Sequence, residues 1–433
     1  MKTVVFIETA KSGSSREAIQ AADELGYYTV LFTKRSSFLE NPSEFQDVHY
    51  MRLVNLDNIH ELRREIQLLR EKGLIIESII SFMDSYCYVA SLLAEEYQVN
   101  PFSTEAIGNM KNKLYSRKML AQSPFVPKYW VLNKESSIDD YLSDMAPNFP
   151  LIMKSPQSTS SKDVFQVNDD NQLLQGQRAL LKKFPDQPFI IEEYLPEPQY
   201  LVESVVVAGK VNFVAIFRQD IQHQKRFIVT GYSLLLDSNE ELYKSITSAV
   251  EDIIKLHGLT NGPCHLELRQ KNDTWKLIEV NPRISAGAMN EMIVAGYGIN
   301  LVKETLKLAL GREPDFTKIF EKHLFTQYIT IEDSGVLEKV TGQNRAKRSP
   351  GVLNVYVRPQ KDAYLHPPLS MGHRYGYVMA TGETEAEAIQ NAKNAAAEIQ
   401  FSLLPIDNAE EERFDRSLDA YTYDEPDKSQ SSE

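Results

Sequence analysis

The chain has 433 residues, of which 42% are hydrophobic and 25% charged, too long for one core and apolar enough to fill about two to four domains. Its formal net charge of -13 at pH 7 excludes a general attraction to nucleic acid or to an anionic membrane, although a local basic site for a phosphate stays compatible with it. MKTVVFIETA meets Glu8 too early for a signal peptide and no apolar run reaches ~18 residues, so a cytoplasmic protein is expected.

TVVFIE followed by SSREAIQAADELGYYTVLFT reads as strand, helix and strand, with Ala18, Ile19, Ala22 and Leu25 at helical spacing and Gly26 as a stop. The pattern recurs to about Pro101, which predicts a doubly wound α/β sheet. Gly13 stands alone in the first loop, so a dinucleotide fingerprint is lacking. Ligands of such sheets bind beyond the carboxyl ends of the strands, which makes FMDSY, with Asp84 and Ser85, either a substrate contact or a plain connecting loop. Cys87 and Cys264 have no metal-ligand spacing and are expected as buried thiols, not as a disulfide.

Residues 105 to 122 are predicted as one helix, and PFVPKYWVL, with two prolines, as a domain crossing. A compact α+β unit follows: strand FPLIMKS, polar loop PQSTSSKD, strand VFQV, helix DNQLLQGQRALLKKF and strand QPFIIEEYL. Two hairpins come next, one turned at Gly209 and one near Asn272 and Asp273. Strands LFTQYITI, VLNVYVRP and YGYVMATG and the Ala-rich helix TEAEAIQNAKNAAAEIQ close the folded part. The last 26 residues hold nine acidic and three basic side chains, which predicts a mobile acidic tail or a partner-binding one.

The second hairpin carries the chemistry. In LIEVNPRISAG, side chains alternate between faces, so Glu279, Asn281 and Arg283 share a face if the extended form persists through Pro282. HLEL places Glu267 on the partner strand. Two carboxylates and an amide oxygen are hard ligands that suit Mg²⁺ at ~2.1 Å, while a Glu279–Arg283 ion pair on a half-exposed strand is the plainer alternative. Facing carboxylates repel without a cation, which favours a metal.

Lys113 and Lys154 are either phosphate ligands or lysines whose stems reach to solvent. The hydroxyl-rich loop with Ser160 and Ser161 can cradle a phosphate or stay a solvent loop. Glu192, Glu193, Tyr194 and Leu195 end a strand that can wall a purine pocket or lie at an ordinary edge.

In their order, NKLYSRKML, PLIMKSPQSTSSKDV, FIIEEYLPEPQYLVE and CHLELRQKNDTWKLIEVNPRISAG resemble the ATP-grasp superfamily of carboxylate-amine ligases over about residues 1 to 400. The closing segment is similar to biotin carboxylase-like members, and the whole layout to the bacterial L-amino acid ligases that make dipeptides. The resemblance implies an ATP-grasp fold of α/β and α+β domains: a Rossmann-like pre-ATP-grasp domain at 1–105, a linker helix and lid subdomain at 106–190, a metal-bearing subdomain at 191–312, a biotin carboxylase-like C-terminal portion at 313–407 and the acidic tail at 408–433.

It also implies roles. Lys113 and Lys154 would hold ATP phosphates, Ser160 and Ser161 would belong to the lid, Glu192 to Leu195 would meet adenine, and Gln199 would lie near the ribose. Glu267, Glu279 and Asn281 would bind Mg²⁺, with Mn²⁺ as an alternative ion. Arg283 would be the catalytic cation. Asp84, Ser85, His265, Arg283, Ser285 and Gly287 are the candidate substrate contacts, with amino acids as substrates and a homodimer as the expected assembly. Three departures stand out: the lid stretch has no glycine, Gln199 stands where relatives often have Glu, and Tyr232 stands where some have His. Two other activities fit the same motifs, a biotin carboxylase-like enzyme that activates bicarbonate and a non-catalytic nucleotide-binding regulator.

Overall fold

The computed structural model describes residues 1–405 apart from 137, 156–163, 197, 224–226, 238–239 and 369. The described residues form two compact units, the first from Met1–Ile216, Asp237–Val294 and Gly298–Ile319, the second from Phe217–Leu236, Ala295–Tyr297 and the chain from Phe320 onward.

The first unit opens with β1 (Lys2–Ile7), β2 (Tyr28–Thr33), β3 (Tyr50–Leu53) and β4 (Ile75–Ile80), a parallel sheet in the order β3-β2-β1-β4. β1 and β2 are buried along almost their whole length, as strands of a parallel sheet covered on both faces must be. Val5, Phe32, Leu62, Ile66, Ile79 and Leu93 fill the core beside them. The strand order reverses between β1 and β4, so the loops that leave these two strands flank the crevice of this sheet.

The helix predicted over 105 to 122 is two helices, Thr104–Lys111 and Lys113–Met119. Asn112 is the reason. Its backbone is extended (φ -102°, ψ 113°), and its side chain accepts from the N–H groups of Leu114 and Tyr115, ending one helix and capping the next. Lys113 thereby becomes the first residue of the second helix.

Next come β5 (Tyr129–Leu132), β6 (Leu151–Lys154), β7 (Val164–Val167) and β8 (Phe189–Glu193), an antiparallel sheet in the order β5-β8-β6-β7. Helix Asp170–Lys183, capped by Asp169, covers it through Leu173 and Leu180, which pack with Trp130, Met153, Val167 and Ile191. Both predicted hairpins are present. β9 (Gln199–Val207) turns through Ala208 and Gly209 into β10 (Lys210–His223), whose first half belongs to this unit; β11 (Phe227–Leu235) belongs to the second. β12 (Gly262–Lys271) turns into β13 (Thr274–Asn281) through Asn272 and Asp273, both with positive φ (48° and 58°), as a two-residue turn requires. β12 lies between β13 and β9.

In the second unit β14 (His323–Ile329), β15 (Gly335–Thr341), β16 (Val352–Val357), β17 (Tyr364–Leu365), β18 (Gly376–Gly382) and β19 (Gln400–Leu404) complete the strands. The order is β11-β14-β18-β16 in one antiparallel set and β17-β15-β19 in another. Helix Glu385–Ala397 buries Ala388 and Ala392 against Phe325 and Ala380. Among the described residues no helix is long and apolar enough to cross a membrane.

Candidate active site

The register of the second hairpin sets Glu267 directly opposite Glu279 and His265 directly opposite Asn281. Residues two apart on a strand share a face, so these four polar side chains form one patch. A bulge passes over Ile278, pairing Leu268 with Leu277, so each strand keeps its leucine inward while presenting its carboxylate. β9 extends the patch, because Gln199 pairs with Arg269 and Glu203 with His265.

Each carboxylate has its own partner. Lys113 Nζ lies 3.2 Å from Glu279 Oε1, and Gln199 Nε2 donates to Glu267 Oε2 at 2.7 Å. The repulsion expected between facing carboxylates is therefore relieved within the protein by one lysine and one amide. Burial raises the Glu279 pKa, but the charge of Lys113, with Lys154 and Arg283 behind it, holds the carboxyl below its ordinary value. His265 Nδ1 lies 2.5 Å from Glu203 Oε1 and its Nε2 3.7 Å from Glu267 Oε1. Burial disfavours the charged imidazole, yet the Glu203 carboxylate outweighs it and lifts the pKa to about 9.

A second charged group surrounds Glu192, where Arg117 Nε and Lys154 Nζ each lie 2.6 Å from one of its oxygens. Arg117 also donates from Nη2 to the Ile278 carbonyl at 2.8 Å, tying its helix to the bulge of β13. Burial draws the Lys154 pKa down to about 8 despite its partner. Arg283, past the end of β13, places Nε 3.1 Å from Asp84 Oδ1 in the loop after β4 and donates from Nη1 to the Ile284 carbonyl.

The remaining candidates are more scattered. Glu193 accepts from the Lys128 N–H at 2.9 Å and is paired with Lys271 Nζ. The Tyr194 ring lies under Arg269, whose guanidinium also donates to the Leu195 carbonyl and, from Nε, to Gln199 Oε1 at 3.0 Å. Ser85 offers its carbonyl to Lys111. Gly287, exposed and at φ 72°, precedes helix Ala288–Tyr297, and Ser285 is buried beside Glu203. Ser160, Ser161 and the lid stretch lie outside the described residues, as does the acidic tail.

Beneath Arg283 is a cavity of about 20 Å³, lined by Ile80, Phe82, Cys87 and Pro282 among others, room for a single water. Both cysteines are buried free thiols, as expected.

Among the described residues no three His, Cys, Asp or Glu side chains are grouped to hold a metal. The candidate set is two carboxylates and the Asn281 amide, and its hard oxygen donors fit Mg²⁺ and leave room for phosphate and water ligands. Sequence reasoning missed Arg117 and Glu203. Helical spacing offered a signal for the first, four residues after Lys113, and strand alternation for the second, four residues after Gln199.

Residues 147–291 match the family description of the ATP-grasp domain, and residues 327–403 that of L-amino acid ligase C-terminal domain 2. Dapdiamide A synthase of Enterobacter agglomerans is 23% identical over 298 residues, covering 66% of this chain and 68% of the relative. The L-arginine-specific L-amino acid ligase of Bacillus subtilis is 22% identical over 175 residues, 39% of this chain and 42% of the relative. The crystal structure of the L-amino acid ligase from Bacillus licheniformis superposes with a TM-score of 0.79 at 19% identity, over 94% of this chain and 99% of that one. By these matches the chain carries an ATP-grasp domain followed by an L-amino acid ligase C-terminal domain 2, and it has the fold of an L-amino acid ligase.

Proposed function

We propose that the protein joins two L-amino acids into a dipeptide, consuming ATP with Mg²⁺ and releasing ADP and phosphate. The observation that carries this reading is the in-register pair Glu267 and Glu279 with Asn281 alongside, flanked by the ammonium of Lys113. Such a set has the hard oxygens and the cationic neighbour that a nucleotide triphosphate with its metal requires.

In this reading Lys113 and Lys154 bind the phosphates, Glu192 to Leu195 meet the adenine, and Gln199 the ribose. Glu267, Glu279 and Asn281 hold Mg²⁺, which neutralises charge on the phosphates when bound. The carboxylate of the first amino acid attacks the γ-phosphorus, the bond to the β-phosphate oxygen breaks, and ADP leaves. The free amine of the second amino acid then attacks the acyl carbon of the acyl phosphate; phosphate leaves and the amine loses a proton. Arg283 meets the phosphoryl group or the tetrahedral oxyanion with its planar fork. Asp84, Ser85, His265, Ser285 and Gly287 border the amino acid sites, and the enzyme acts as a homodimer in the cytoplasm.

The test is phosphate release from ATP and Mg²⁺ with paired amino acids, with and without bicarbonate, and mass spectrometry of the products. Amino acid-dependent release with a dipeptide product is expected. Arg283→Ala should keep its circular dichroism spectrum and lose the release about 100-fold or more. A requirement for bicarbonate would sink the reading in favour of a carboxylase.

A further inference from the structure

Glu203 is a fully buried carboxylate in the middle of β9 that the steps above leave without a task. One oxygen lies against His265 Nδ1 on β12, and the other accepts the Ser285 N–H at 3.1 Å. The carbonyl of the same Ser285 accepts from Ser14 Oγ at 2.9 Å and from Asn290 Nδ2 at 2.8 Å, and Asn290 Nδ2 also reaches Ser14 Oγ at 2.8 Å. Ser285 is thus held at both ends of its backbone, by the strand beside the metal carboxylates and by the first residue of helix Ser14–Glu24. All of these residues are at most 6% exposed, so water competes little for the bonds.

A segment with that restraint is set where a substrate must be met with small tolerance. Arg283 lies two residues before the held position and Gly287 two after it, and both ends are accessible, Arg283 partly buried and Gly287 exposed. We propose that Glu203 is a positioning residue: by clamping Ser285 it fixes segment 283–287 relative to Glu267, and so holds the acceptor amino acid where its amine reaches the acyl carbon before water does. This rests on the ligase reading. In the productive step the amine nitrogen bonds to the acyl carbon, the carbon–oxygen bond to phosphate breaks, and an amide and phosphate result. When the acceptor is misplaced, water oxygen forms that bond instead, and the free amino acid and phosphate result with no dipeptide.

The readout is dipeptide formed per ADP released, with hydrogen exchange of the Ser285 amide measured in parallel. Glu203→Ala is expected to lower the ratio about tenfold, the scale set by losing a hydrogen bond to a charged group, with little change in KM for ATP. Ser14→Ala, which removes one of the two donors to the Ser285 carbonyl, is expected to lower it less. Both should exchange the Ser285 amide faster than the wild type. Should Glu203→Ala fail to fold, Ser14→Ala carries the same two readings. An unchanged ratio and unchanged exchange in the folded variants overturn the proposal. Absence of any dipeptide from the wild type would end the ligase reading alone, and the exchange measurement would then decide whether Glu203 restrains the segment.

Discussion

Glu192 is buried between Arg117 and Lys154, and the pH dependence of stability should report that arrangement. Burial by itself would raise its pKa, but the two cations reverse the effect and hold it at about 2, against 4.5 for an ordinary glutamate. A carboxyl lowered on folding stabilises the native state above its unfolded pKa and loses that contribution as pH falls through the window from 4.5 towards about 2. Lys154, with a pKa of about 8, is protonated throughout that window and adds nothing to the acid limb. Denaturant melts at stepped acid pH should therefore lose a few kcal/mol across the window. Glu192→Gln should be less stable than the wild type at neutral pH, by about 3 kcal/mol, because two buried cations lose their counter-charge, and its acid limb should be flatter. An equally steep limb in the variant would show that other carboxyls govern it. From sequence, Glu192 was legible as the end of an apolar strand that can wall a purine pocket, not as the centre of an ion cluster; its cations come from other elements, 75 and 38 positions away.

At the level of elements, the break at Asn112 matters more than its length suggests. A continuous helix would carry Lys113 in mid-helix, whereas the capped second helix puts it in the first turn, 3.2 Å from Glu279. Asn112→Ala should cost about 1 kcal/mol in a denaturant titration, the typical value of an N-cap, and should also weaken ATP binding measured by calorimetry. Asn112→Asp, which caps as well, should keep both. Normal ATP affinity in the alanine variant would separate the cap from the site. The helical pattern of 105–122 was readable because apolar spacing reports helix; the break was not, because asparagine is tolerated inside helices as well as at caps. The hairpin at Asn272 and Asp273 was legible to the residue, since two residues that accept positive φ in sequence leave few alternatives. The bulge at Ile278 left no mark, because an apolar residue there suits a regular ladder equally well.

For the molecule as a whole, ligand linkage is the broadest test of the site, since every described candidate lies in the first unit. ATP with Mg²⁺ binding only the native state should stabilise it by about 2.7 kcal/mol at a ligand concentration 100 times Kd. Scanning calorimetry should show that increment, and a chelator added with ATP should remove most of it if Glu267, Glu279 and Asn281 act through the metal. Equal stabilisation with and without chelator would mean the carboxylates take no part in nucleotide binding.

The sequence by itself determined the opening strand–helix–strand pattern, both hairpin turns and the polar face of β12 and β13, because each follows from periodicity and backbone preference within a few residues. Only the tertiary structure decided which partners those residues meet. Arg283 turns to Asp84, 199 positions away, and not to Glu279; Ser285 joins Ser14 across 271 positions; and Lys113 answers the facing carboxylates. Periodicity fixes the face on which a side chain stands, but what lies opposite depends on how distant segments pack, and local preference carries no record of that.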